Sequence, residues 1–156
     1  MAIRSAEAGD IEACVGMIEA RRQLYETFEP RFWRKAEHSA AMSTAFFSHL
    51  AADASALFLV SRADAGINGF LIAANIQNPP VYAPGGPTAQ IDDFCVADPA
   101  LFPTVGAALL DEARAQLKAQ GFTQLVIVCA ARDTARTAFL QSQSLSLTTT
   151  WWTTSL

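Results

Sequence analysis

Apolar residues recur along this chain with two periods, one near 3.6 and one of 2, and the switches between them predict its elements. Ala2 to Ser5 predicts a short strand. From Gly9 or Asp10 a helix follows, with Asp10 as its N-cap and Ile11, Cys14, Val15 and Ile18 on one face. Arg21 to Glu37 (RRQLYETFEPRFWRKAE) mixes aromatics with both charge signs around Pro30 and reads as an irregular loop or a broken helix. Ser39 to Ala52 predicts a second helix with Met42, Ala45, Phe46, His49 and Leu50 on its inner side.

Beyond Ala52 the period shortens. Leu57 to Ser61 and Gly69 to Ile76 predict a β-hairpin around the turn residues Ala63 to Asn68. Asn78 to Pro87 (NPPVYAPGGP) is a loop that cannot continue a ladder. Gln90 to Val96 (QIDDFCV) resumes as a strand. Thr104 to Gln120 is helical in pattern, with Gly121 placed as a C-cap. Gln124 to Ala130 reads as a strand buried on both faces, Asp133 as the cap of a short helix to about Ser142, and Leu145 to Thr154 (LSLTTTWWTT) as a last strand. The resulting order, β–α–α–β–β–β–α–β–α–β, predicts one α/β domain over 1–156, a mixed, mostly antiparallel sheet flanked by helices.

Composition narrows the function classes. The chain has 156 residues, 51% of them hydrophobic, and a mean hydropathy of +0.21, enough for a full core with apolar surface left for a subunit interface. Trp151 and Trp152 are adjacent on the last predicted strand, so one points to the core and the other outward. The outward ring suggests either a homodimer contact or a covering helix. No apolar run reaches the roughly 20 residues of a membrane span, and the N-terminus lacks a signal-peptide pattern, so a cytoplasmic protein is expected. The 11 Lys and Arg residues, at a net charge of −4, are too few and too scattered for a nucleic-acid footprint. Cys14, Cys95 and Cys129 are odd in number and far apart, and neither they nor His38 and His49 match metal-ligand spacing.

Two stretches bear on chemistry. DPALFPTVGAALL, residues 98 to 110, leads through a turn into a helix whose first amides and dipole can hold an anion. It contains one glycine and no arginine. Asp92 and Asp93 sit side by side in an apolar strand, where carboxylates are costly unless solvated, paired or used.

With this element order, "IRSAEAGDIEACVGMIEA", "IDDFCV" and "VGAALLDEARAQLKAQGFTQLVIV" together make the chain resemble the GCN5-related N-acetyltransferase (GNAT) superfamily over nearly its whole length. Another α/β domain with the same element string is the alternative. The resemblance implies a GNAT-like acyl-CoA N-acyltransferase fold, acetyl-CoA as cosubstrate and a small-molecule amine as acceptor. It also implies cofactor contacts at Phe94, Cys95 and Val96, where two strands splay, and at Thr104, Val105, Gly106 and Ala107, where the helix starts.

The family's Val-x-Pro loop, laid on Val96, puts its last glycine on Gly106. Leu101 then stands at its Arg/Gln position, Phe102 and Thr104 at two of its glycines, and Pro103 removes one N–H. The catalytic pair implied is Asp92, as a base acting through water, and Asp93 in support. Substrate contacts are implied at Tyr25, Glu26, Phe28, Glu29 and Trp33, in the loop between the first two helices, and at Tyr82. A tyrosine often found late in the last helix, before a Gly-Phe pair, corresponds to Leu140, and the pair to Ser144 and Leu145. The reading is an N-acetyltransferase. The runner-up is a catalytically silent binding or assembly module of the same fold.

Overall fold

The computed structural model describes all 156 residues, Met1 to Leu156. A five-stranded sheet runs β1 (Ala2–Ser5), β2 (Leu57–Ala63), β3 (Gly66–Ile76), β4 (Thr88–Val96), β5 (Gln124–Ile127), its spatial order the same as its chain order. The first four strands pair antiparallel, and β4 pairs with β5 in parallel across a helical crossover. Helices α1 (Ile11–Phe28) and α2 (Ser39–Ala52) cover one face; α3 (Ala107–Ala119) and α4 (Thr134–Ser142) cover the other.

Both faces are covered, so successive strand residues are apolar yet serve different cores. Phe58, Val60, Phe70, Ile72 and Cys95 pack with Ile11, Cys14, Ile18 and Phe47 under α1 and α2. Leu57, Leu59, Leu71, Ile91 and Phe94 pack with Leu109, Leu110, Ala113 and Phe139 under α3 and α4. Each core holds a trio of mutually touching rings: Phe47, Phe58 and Phe70 in the first, Phe94, Phe102 and Phe139 in the second.

Several expectations need correction. The helix α1 does not stop near Ala20 but continues through Tyr25 and Glu26 to Phe28. Pro30 restricts only the residue before it, Glu29, which is extended at φ −152° and ψ 92°. The inner side of α2 is Ser39, Ser43 and Phe47, whereas Met42, Ala45, Phe46 and His49 are exposed. The stripe was misread because apolar residues lie on both sides of this helix. The strand β5 is four half-buried to exposed residues rather than a doubly buried strand. Leu145 to Thr154 forms no strand; Trp151 and Trp152 are both exposed, at 82% and 93%, and no Trp reaches the core. With no strand beyond it, β5 is an edge.

The α3 C-terminus matches the reading: Gly121 takes a φ of +86°, its N–H bonds to Lys118 O, and Phe122 N–H to Leu117 O. At the α4 end Ser144 has the same left-handed turn, with a φ of 60°. That is the position matched to a glycine in the sequence.

Candidate active site

The strand β4 carries one residue more than its partner β3: Ile72 pairs with Asp93 and Ala73 with Ile91, leaving Asp92 as the extra residue of a bulge. The parallel ladder with β5 runs only from Thr88 to Ile91, and Val128 N–H donates to Ile91 O at 3.0 Å where it closes. From Asp92 onward the β4 edge has no strand beside it. An open edge presents its carbonyls and amides in a row.

Residues of α1 and α4 meet across this opening. Arg21 Nη1 donates to Asp92 O at 3.1 Å and to Phe94 O at 3.5 Å, and Nη2 to Asp93 Oδ1 at 2.9 Å. Its guanidinium lies 5.5 Å over the Tyr25 ring. The Tyr25 hydroxyl donates to Asp133 Oδ2 at 3.0 Å, and Asp133 caps α4 by accepting from Arg136 N–H. Arg132 Nη1 donates to the Phe28 carbonyl. Burial pushes the Tyr25 phenol up, against the pull of Arg136 and Arg21, so it stays protonated and donates.

Arg136 is the most unusual of these residues. It is 1% exposed, its guanidinium lies 5.5 Å over the Phe94 ring, and Nη1 donates to the Tyr25 hydroxyl at 3.4 Å. Its Nε and Nη2, like Nε of Arg21, have no hydrogen-bond partner. A buried donor left unmade is costly and calls for an explanation.

The two aspartates are not equivalent. Asp93 is held by Arg21, whereas Asp92 is exposed and accepts from Gln90 Nε2 at 2.7 Å. Cys95 is buried, and burial pushes its thiol up, against the pull of Arg21 and Arg136. It is a packed thiol, not an activated nucleophile.

At the start of α3 the chain becomes helical earlier than the pattern indicated. Asp98 Oδ1 accepts from Ala100 N–H at 2.8 Å, and Leu101 N–H bonds to Asp98 O. Pro103 has no N–H to offer the Pro99 carbonyl, which accepts from Phe102 instead. Phe102 to Gly106 then widens into a π turn closed by Ala107 N–H on Phe102 O. Phe102 turns inward, stacked on Phe139 at 5.2 Å, so its ring does not block the outer face where Pro103 and Thr104 are exposed. Val105 and Gly106 are buried, Ala107 is half-buried, and the Thr104 hydroxyl bonds back to Leu101 O at 3.3 Å. No lysine or arginine occurs between Arg62 and Arg114.

These features allow a test of acetyl-CoA. At the thioester end the donor that fits is the Phe94 N–H: the carbonyls of Asp92 and Phe94 face the opening but accept from Arg21, and in an extended strand the Phe94 N–H faces the same way as its carbonyl. At the diphosphate end only backbone is on offer, since no cationic side chain stands near the turn in the chain. The outer face of the turn is open, but the side chain capping this end is the Asp98 carboxylate.

On the α1–α2 side lies a cleft of about 660 Å³, its wall including Arg21, Tyr25, Trp33, Arg34, Met42 and Phe46. Of the six expected substrate contacts, Tyr25 and Trp33 line it, with rings 5.1 Å apart. Glu26 accepts from Lys35 N–H, Glu29 binds Arg31, and Phe28 packs on Tyr25. Tyr82 is 72% exposed beside a separate hollow with Pro79 and Gln124. Leu140, in the place of the family's tyrosine, is buried in the core.

Sequence reasoning missed Arg21, Arg136 and Asp98, and it gave Asp133 the helix cap but not its bond to Tyr25. A signal existed for the two arginines. Arg21 continues the stripe Ile11, Cys14, Ile18 toward Tyr25, and Arg136 shares a face with Phe139 and Leu140 at i+3 and i+4. A cation on an apolar stripe marks a buried cation.

No family model matches the sequence, and no curated protein matches it. Solved structures do. A mutant of the BH1408 protein from Bacillus halodurans matches with a TM-score of 0.84 at 17% identity, over 100% of this chain and 99% of the other. A protein described as a predicted acetyltransferase from Clostridium acetobutylicum, solved with acetyl-CoA, matches at 0.72 and 18% identity, over 99% and 95%. An aminoglycoside 6'-N-acetyltransferase from Acinetobacter haemolyticus matches at 0.73 and 16%, over 100% and 98%. At these identities the likeness is one of fold.

Proposed function

We propose that this chain, which has the N-acetyltransferase fold from end to end, transfers an acetyl group from acetyl-CoA to a small amine by direct attack. The observation that carries the reading is the open edge of β4 beyond Ile91, with a bulge at Asp92. Acetyl-CoA, when bound, supplies an activated carbonyl carbon to the amine. The backbone of Phe94, Cys95 and Val96 would hold its acyl end, and the turn from Thr104 to Ala107 its diphosphate. An edge amide such as that of Phe94 is a fixed donor for a carbonyl oxygen that gains negative charge, and a fixed dipole needs no reorganisation during reaction.

An amine acceptor enters mostly as its ammonium, with a pKa of about 10. It must lose a proton before it can attack. Asp92 is solvated, held by Gln90 and free of any cation, so it can accept that proton through water. Asp93 is engaged with Arg21 and keeps that guanidinium against the strand. Tyr25 ties α1 to α4 through Asp133 and so fixes the width of the opening.

Thermal denaturation with and without acetyl-CoA is the first test, since a ligand that binds only the folded chain raises Tm. A rise is expected, together with acetylation of an amine acceptor. Asp92→Asn should lower turnover by about 100-fold or more, the usual worth of a general base, and leave the acetyl-CoA shift unchanged. Absence of any shift at millimolar acetyl-CoA favours the silent module instead.

A further inference from the structure

We propose that the α1–α2 cleft takes an acceptor carrying a carboxylate beside its amine, an apolar amino acid in class, and that Arg21 and Arg34 are its anion site. The proposal rests on the acetyl-transfer reading for the identity of the nucleophile. The charges stand apart from it. The charged side chains of the cleft wall are Arg21, Arg22, Arg34 and Lys35, with no aspartate or glutamate among them. Glu19 binds both Arg22 and Lys35, and Asp93 binds Arg21; Arg34 has no partner. The expected mixture of aromatics and carboxylates, suited to a plain amine, is thus not what lines the cleft: Glu26 and Glu29 are bonded outside it.

A second observation points the same way. Arg21 lines the cleft over the Tyr25 ring, and its Nε is buried with no hydrogen-bond partner. An unspent donor on Arg21 and the unpaired Arg34 leave positive charge that a carboxylate would neutralise with charge-assisted hydrogen bonds. Arg21 also bonds the Asp93 carboxylate and the Asp92 carbonyl, so an anion on its guanidinium would lie close to the residue proposed as base, as an amine and a carboxylate on one carbon require. Phe32, Trp33, Met42 and Phe46 offer the wall for an apolar side chain. The cations have a chemical use too: positive surroundings disfavour the ammonium form and so release the amine that attacks.

The test uses the whole chain without acetyl-CoA, so it does not depend on catalysis. L-phenylalanine and 3-phenylpropionate, which share a carboxylate, should each raise Tm, and phenethylamine, which lacks it, should not. Arg34→Glu breaks no bond of the fold and should weaken phenylalanine binding about tenfold or more by calorimetry. Protection by phenethylamine equal to that by phenylalanine, no shift with either carboxylate, or unchanged affinity in Arg34→Glu overturns the proposal. Equal protection by inorganic phosphate overturns the carboxylate assignment. If phenylalanine binds while acetyl-CoA does not, the transfer reading falls and the anion site stands.

Discussion

A methyl group placed on Gly106 would lie 2.9 Å from the Phe102 ring and 3.4 Å from that of Phe139. The absence of a side chain here serves aromatic packing, so the one glycine kept from a cofactor-loop pattern has a structural reason of its own. Gly106→Ala should therefore cost about 1–3 kcal/mol by overpacking. In a chain of this size that is a fall of about 2–4 °C in Tm for each kcal/mol, read by thermal unfolding. Asp92 and Asp93 show how far single residues were legible. Their adjacency marked a site; which of them stays solvated and which is locked to Arg21 depends on a bulge and on a helix 72 residues away in the chain.

At the level of elements, the start of α3 decides how a nucleotide could be held. Asp98 gives the helical run an acidic cap, which stabilises the helix and opposes a second anion at the same end. Asparagine keeps the cap and removes the charge. Asp98→Asn should tighten acetyl-CoA binding about two- to fivefold, equivalent to about 0.3–1 kcal/mol, in a calorimetric titration. Equal or weaker binding would mean that the diphosphate lies elsewhere. The helix α1 gives a second lesson at this scale. Its last eight residues were hidden from the pattern by mixed charges and aromatics, yet they carry Arg21 and Tyr25. Their apolar-face spacing was legible; the partners that make a charged stripe tolerable were not.

Across the whole molecule, part-buried ion pairs fasten the layers. Arg4 at the edge strand grips Asp10 through two bonds of 2.7 and 2.9 Å, joining β1 to the start of α1. Glu19 gathers Arg22, Lys35 and Ser39, joining α1 to α2. The Arg4 bond holds the Asp10 carboxyl below its ordinary 3.8; burial would raise Glu19, but its three partners keep it below its ordinary 4.5. Stability from both is therefore complete above those ordinary values and is lost as pH falls through the lowered ones. Melting temperature should drop on acidification below about pH 4, and Arg4→Gln should lower the neutral-pH value while flattening that dependence. An equally steep acid dependence in Arg4→Gln, measured by unfolding across a pH series, would remove the Asp10 pair as a cause.

The periods of 3.6 and 2, the caps at Asp133 and Gly121 and the breaker at Pro30 are local, acting over a turn or two of chain, and from them the sequence by itself determined the helix and strand order as far as Ser142. Tertiary structure decided what depends on partners distant in the chain. Leu145 to Thr154 has strand composition but no neighbour to complete a ladder, and strand hydrogen bonds, unlike those of a helix, must come from another segment. The inward face of α2, the opening beside β4 and the burial of Arg136 were settled in the same way. Each depends on what packs against a side chain, not on the side chain alone.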